Sequence, residues 1–337
     1  MKTETTGGDR TVRAPAALLD GGLPTGRSAP RSALAARQAL PLAAALVGVI
    51  VLGFLTTPHF ASGANLQNIV TAISVSGVLA VGQTFVILTG GIDLSVASIL
   101  ALSAVLAGTL APGNLLLFVL LALAVGIAVG LLNGLLTVLG RIPAFIVTLA
   151  TMSAASGLAF VVTNGNPVYI TSQTYIELST ASIAGIPLVG IIFAVAALIG
   201  GFALRSLPLG RYVYAVGDNE EAARVAGLRV GAVKITVFVI SGALAAVASV
   251  IDTSFTGVAQ PGAGTGLELD AIAIVVLGGT NLFGGRGTMT GTFLGALVIG
   301  TLRDIFNLLG LSTPYQDIMM GAAIVIALLL QRSRQHS

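Results

Sequence analysis

The sequence predicts an all-α protein: a polytopic transmembrane helical bundle of about ten spans, built on an inverted repeat. Three observations carry this reading. Hydrophobic residues make up 55% of the chain and charged residues 9%, with a mean hydropathy of +0.99, whereas a soluble globule carries about a quarter charged residues. The apolar residues fall in continuous runs near the roughly 20 that a helix needs to cross the hydrocarbon core. Among the connections between these runs, finally, Lys and Arg occur only in alternate ones.

Taken in order, residues 1–38 are polar, rich in Gly, Pro, Ala and Arg, and without apolar periodicity, which predicts a disordered tail. They are long for a secretory signal, and no small-residue cleavage site stands out. Residues 39–331 form the transmembrane domain. Its apolar runs fall at about 40–56, 69–89, 94–110, 115–139 and 144–162, then at 188–204, 235–251, 267–277, 289–309 and 318–330. Helices are expected rather than strands, because in a bilayer backbone hydrogen bonds must close within each segment. A short basic end, 332–337, follows.

With the amino terminus inside, the inner connections hold Arg141, Arg205, Arg211, Arg224, Arg229, Lys234, Arg286, Arg332 and Arg334, and the outer ones hold no Lys or Arg. The positive-inside rule then places both termini in the cytoplasm. The pI near 9.6 is explained by these loops, with no nucleic acid required. Cysteine is absent, which excludes disulfides and thiolate metal sites. Trp is absent too, leaving five Tyr and the basic residues for contact with membrane lipid at the interfaces.

Two connections are long. Residues 164–187 form a polar outer loop with Tyr169, Tyr175 and Glu177, and residues 205–234 form the most charged inner loop. In the inner loop Asp218 can cap a helix, with Glu221 completing a capping box. Glu220 and Glu221 in the first turn and Arg224 in the last suit the helix dipole. Asn219, Ala222 and Ala223 complete the body, and Gly227 supplies a left-handed stop. A helix of about eight residues is marginal alone in water, so it must pack, either on a soluble partner or on its own membrane domain.

Glycine occurs 43 times. Gly126, Gly130 and Gly134 recur at four-residue spacing in the fourth span, and Gly287, Gly291 and Gly295 do the same entering the ninth. That spacing marks one helix face where backbones can approach closely, although Gly is frequent in membrane helices generally. The two sets correspond if spans two to five repeat as seven to ten, an odd offset that inverts one half relative to the other. Gly90–Gly91 ends the second span and Gly278–Gly279 ends the short eighth. Glycine-broken segments at depth line protein or water, which makes them candidates for a transport pathway.

Asp93 with Ser95 opens the third span, either as a helix cap or as a gating group. Asp270, with Glu268 and Asp252 near it, reads as a solvated loop end or a ligand. Gln83 and Asn133 are expected to hydrogen-bond between helices. Enzymatic readings fail: His59 and His336 lie in an outer loop and near the end, and no catalytic set can be assembled at depth. The run 284–287 lacks the lysine and hydroxyl residue of a phosphate loop, and no cofactor is expected.

Gly90-Gly91-Ile92-Asp93-Leu94-Ser95, the loop from Gly210-Arg211 through Asp218-Asn219 to Gly227, and Gly278-Gly279-Thr280-Asn281-Leu282-Phe283-Gly284-Gly285-Arg286-Gly287 with Gly291 occur in this order. Over about residues 40–330 the chain resembles the ribose-type sugar permeases of ABC transporters, in the group that includes branched-chain amino-acid permeases. The resemblance implies a bacterial inner (cytoplasmic) membrane protein, a permease homodimer, a cytoplasmic ABC ATPase subunit, and an extracytoplasmic substrate-binding protein. It also implies that 219–226 is the helix coupling the ATPase to the pore.

One departure is Arg303–Asp304, where the family more often has uncharged amides before Asn307. Adjacent helix positions do not face each other, so these two are not expected to pair, and Arg303 can snorkel to water. The rival function is an ion-coupled secondary carrier. Proton coupling needs titratable groups at mid-membrane, which are scarce here. A structural membrane subunit is a third reading.

Overall fold

The computed structural model describes residues 2–3, 31–312, 314–319 and 321–322. The helices are α1 Arg31–Thr56, α2 Gly63–Leu88, α3 Val96–Leu110, α4 Leu115–Leu139, α5 Ala144–Thr163, α6 Gln173–Thr180, α7 Leu188–Ser206, α8 Pro208–Asp218, α9 Glu220–Val225, α10 Val230–Thr256, α11 Leu267–Leu277 and α12 Met289–Leu308, and residues 314–319 and 321–322 are helical too. Short strands accompany them. β1 (Val168–Tyr169) pairs antiparallel with β4 (Val258–Ala259), and β2 (Ser182–Ile183) with β3 (Ile186–Pro187).

Several helices start where the sequence offers a polar cap. The side chains of Ser62, Asn114 and Thr288 accept from the amides of Asn65, Leu117 and Gly291, each satisfying a donor the first turn would leave open. α1 is continuous from Arg31, so residues 31–38, assigned to the tail by their polarity, are helical. The rest of the predicted tail beyond residues 2–3, most of the tenth run and the basic end lie outside the described residues.

Among the described residues, six helices are long and apolar enough to cross a membrane: α2, α4, α5, α7, α10 and α12. The expected ten are not reached among the described residues. α3 has 15 residues and α11 has 11, about 22 and 16 Å of helix against a hydrocarbon core of about 30 Å. Both are flanked by non-helical backbone that cuts the apolar run short.

α2 and α10 pack against each other at the centre. α4 and α3 pack on α10, while α12 and α11 pack on α2, and α1 covers α12. α4 shows why. Phe118, Ala122, Gly126, Gly130, Asn133 and Gly134 are buried on one face, while Leu116, Leu120, Ile127 and Leu131 stand exposed on the other. In water that leucine stripe would cost about 25 cal/mol per Å², whereas lipid tails solvate it. At the contacts, a Cβ on Gly126 would strike the Gly242 carbonyl, one on Gly130 the Phe238 carbonyl, and one on Gly134 the Ile235 Cα at 2.8 Å. On the other pair, a Cβ on Gly278 would meet Gly291 at 2.6 Å and one on Gly295 the Ile274 carbonyl at 2.5 Å. Gly287 abuts the Thr280 side chain.

The connection 164–187, expected as a polar loop, carries the helix α6 and the strands β1, β2 and β3. Tyr175 of α6 is fully buried, its ring 4.6 Å from Phe118 and its hydroxyl donating to the Val250 carbonyl at 3.1 Å. Burial raises its phenol above the ordinary range, so it stays a neutral donor.

Candidate functional site

At one end of the bundle the chain from Arg205 to Lys234 is not a loop. α7 extends through Arg205, and Pro208 at the first position starts α8. Leu209, Val213 and Val216, at i, i+4 and i+7, seat α8 on the bundle core. That spacing and the proline were visible in the sequence but were hidden by the charged residues around them.

α8 runs through Asp218, which corrects the expected capping. The cap of α9 is Asn219, whose extended backbone (φ −157°) lets Oδ1 accept from the Ala222 amide at 2.9 Å. With the cap one residue later, Glu221 falls at the second helical position and cannot close a capping box. It pairs with Arg224 instead. α9 therefore has six residues rather than eight.

Its end follows the expected pattern. Gly227 has φ +84°, and the amides of Gly227 and Leu228 donate to Arg224 and Ala223 carbonyls, a Schellman stop. Ala223 is buried and Val225 is 81% exposed. Glu220 ties the helix down, bonding Arg224 at 3.1 Å and Lys234 of α10 at 2.6 Å.

Two turns and the end of α8 meet beside α9. The Gly285 amide donates to the Leu88 carbonyl at 3.0 Å, and a Cβ on Gly217 would collide with that same carbonyl and with Gly285 N. A Cβ on Gly284 would lie 2.8 Å from Gly90 N and 3.0 Å from the Gly217 carbonyl. Gly90 (φ +79°) thus closes on the turn at 284–285 and on the end of α8. A cleft of about 1210 Å³ opens here, lined by Gly90, Gly91, Arg141, Asp218, Asn219, Glu220, Arg224, Lys234 and Phe283.

Deeper lies a polar network. Asp93 has no exposed surface. One carboxylate oxygen accepts from the Ser95 amide and hydroxyl at 3.0 and 2.6 Å, and the other from Ser241 of α10 at 2.8 Å. Asn133 of α4 donates to the Ser95 hydroxyl oxygen at 2.8 Å. The Gln83 amide donates to the Asp93 carbonyl and accepts from its N–H, each at 3.2 Å. Asp93 thus shapes the turn into α3 and also joins three helices to it. Ser95 occupies the cap position of α3 without a side-chain cap bond. Sequence reasoning missed Ser241, which lies 148 residues from its partner.

Asp270 is elsewhere, in the first turn of α11, and shares no partner with Asp93. It is no solvated loop end. At 8% exposure it pairs with Arg303 of α12 at 2.8 Å, and Arg303 also reaches Asp317 at 3.5 Å. Arg303 therefore finds protein acids instead of snorkelling to water. Asp304 points the other way and accepts from Asn65 at 2.9 Å, so the adjacent pair does not bond to itself. Gly278 closes the opposite end of α11 against Gly291 of α12, and Gly279 follows it with φ +85°.

Membrane-length helices around a buried polar break define a multi-pass membrane protein. The chain matches the family described as branched-chain amino acid transport system / permease component over residues 65–328. It is 44% identical over 298 residues to the ribose import permease protein RbsC of Bacillus subtilis, covering 87% of this chain and 92% of that one. Identity is 40% over 295 residues to RbsC of Haemophilus influenzae (85% and 90% covered). It is 37% over 284 residues to the L-arabinose ABC transporter permease protein AraH of Azospirillum brasilense (84% of each). No solved structure matches. The chain belongs to this permease family, whose members are transport components rather than enzymes.

Proposed function

We propose that this chain is the permease subunit of an ATP-driven importer for simple sugars, in the bacterial inner membrane. The observation that carries the reading is its 44% identity over 87% of its length to a ribose import permease, with an arabinose permease also among its relatives. Scarce charge within the spans suits an uncharged solute.

In this reading a cytoplasmic ATPase engages Asp218–Gly227, with α9 as the coupling helix, and a substrate-binding protein delivers sugar to the opposite face. Orientation is supported by charge: Arg141, Arg224 and Lys234 gather at the α9 end, as the cytoplasmic side requires. Two copies form the pathway, and ten spans put both termini in the cytoplasm. The reciprocal packing of α3 and α4 on α10, and of α11 and α12 on α2, supports an inverted repeat. The pathway and its gates are assigned to the broken segments around Gly90, Gly91, Asp93 and Ser95, and around Gly278 and Gly279, with the Asp270–Arg303 pair at the outer end.

Reconstitution in proteoliposomes tests this. Sugar uptake should require ATP, the ATPase subunit and the binding protein together. Accumulation of sugar by the chain alone on a sodium gradient would establish a secondary carrier instead.

A further inference from the structure

The proposed coupling helix does not stand alone on its face. The turn at 281–285 carries Phe283 into the cleft walled by Asp218, Asn219, Glu220 and Arg224. Its ring is 88% exposed, more than any other large apolar side chain among the described residues. This exposure is not slackness. The Asn281 side chain accepts from the Phe283 amide at 3.1 Å, and the Gly284 amide donates to the Asn281 carbonyl at 3.0 Å. The turn is bolted to α8 as well, since the Tyr214 hydroxyl donates to the Gly287 carbonyl at 2.9 Å and Gly285 donates to Leu88 at 3.0 Å. The backbone that carries Phe283 is thus held in place, so little backbone entropy remains to be lost on contact.

Arg141 lines the same cleft with a left-handed backbone, φ 55°, and makes no ion pair among the described residues. The cleft is lined by three cations, Arg141, Arg224 and Lys234, against two acids, Asp218 and Glu220, and Glu220 is already engaged by Arg224 and Lys234, so the rim carries a net positive charge of one.

We infer that Phe283 and Arg141 extend the α9 surface into one continuous docking site for the ATPase, with Phe283 seated in an apolar pocket of that subunit and Arg141 facing an acidic group beside it. The inference rests on the coupling reading above and adds a second anchor to it. An aromatic ring inside a charged rim has the form of an interface hot spot. A ring serving the membrane would sit among headgroups, away from the charged cleft.

The absence of cysteine makes the test direct. Phe283→Cys and Val225→Cys each carry a single thiol, to be labelled by an impermeant maleimide in inside-out vesicles with and without the ATPase subunit. Both rates should fall by about tenfold or more on adding the ATPase, the scale of a buried interface position. Protection at Val225→Cys alone overturns the inference and leaves the coupling reading standing. Protection at neither position overturns both. Reaction of Phe283→Cys only with a lipid-soluble maleimide assigns the ring to the membrane and overturns the inference. Independently, Phe283→Ala should raise the Kd for the ATPase on the order of 10- to 100-fold at an unchanged unfolding temperature. An unchanged Kd refutes it.

Discussion

Asn219 and Asp218 are neighbours with different work. Asn219 satisfies an open amide of α9, so Asn219→Ala should cost about 1 kcal/mol of local stability. Asp218→Ala removes no cap and should cost much less. Amide exchange across 220–226 reads the difference, and equal effects would contradict the assignment. Glu221→Ala removes only an exposed pair, worth about 0–1 kcal/mol, whereas Gly227→Val forces a branched residue into φ +84° at about 1–2 kcal/mol. The second change should therefore weaken ATPase association far more than the first in a pull-down. At the other end, Arg303→Ala strands Asp270 at 8% exposure. Breaking a buried pair costs about 3–5 kcal/mol, and with the Arg303 side chain 27% exposed we expect about 2 kcal/mol. The double change to Ala should recover part of it, which thermal unfolding in detergent would register. Asp270 and Arg303 were each conspicuous in the sequence, but their pairing was not, because nothing local says which face of α12 meets α11.

Among elements, the α4–α10 contact is the most exacting. Gly130→Ala would set a methyl against the Phe238 backbone, whereas Gly157 on α5 has nothing within 4 Å. Backbone cannot yield as a side chain can, so Gly130→Ala should destabilise by about 1–3 kcal/mol and Gly157→Ala should change little. Matched melting temperatures for the two variants would refute the close approach. The glycine spacing alone pointed to a small-residue face on α4. It did not identify the partner, and Gly242 on α10, which meets Gly126 backbone to backbone, drew no notice because it stands alone in its span. α8 was missed for a related reason: its apolar spacing is embedded among charges that read as loop.

Across the molecule, Asp93 links the broken segment after α2 to α10, joining the two packed halves. If that joint moves during transport, Ser241→Ala should lower the uptake rate while leaving ATPase binding intact. Loss of one partner of a buried hydrogen bond costs about 1–3 kcal/mol, enough to shift a two-state equilibrium by about fivefold or more. Normal uptake with normal stability would exclude the role. The same end carries α9 and the turn at 284–285, so force applied there reaches α2, α8 and the loop after α11 through direct backbone contacts.

The sequence by itself determined that the chain lives in a membrane, roughly where its helices run, and which faces carry small residues. It also marked the punctuated stretch ending at Gly227. These follow from composition and short-range periodicity, because the bilayer makes each span satisfy its own backbone. Only the tertiary structure decided that Asn219 rather than Asp218 caps α9, that Asp270 meets Arg303, that Asp93 meets Ser241, and that two glycine turns close on the end of α8. Each depends on the rotation and depth of packed helices, which a residue's own neighbours in the chain do not set.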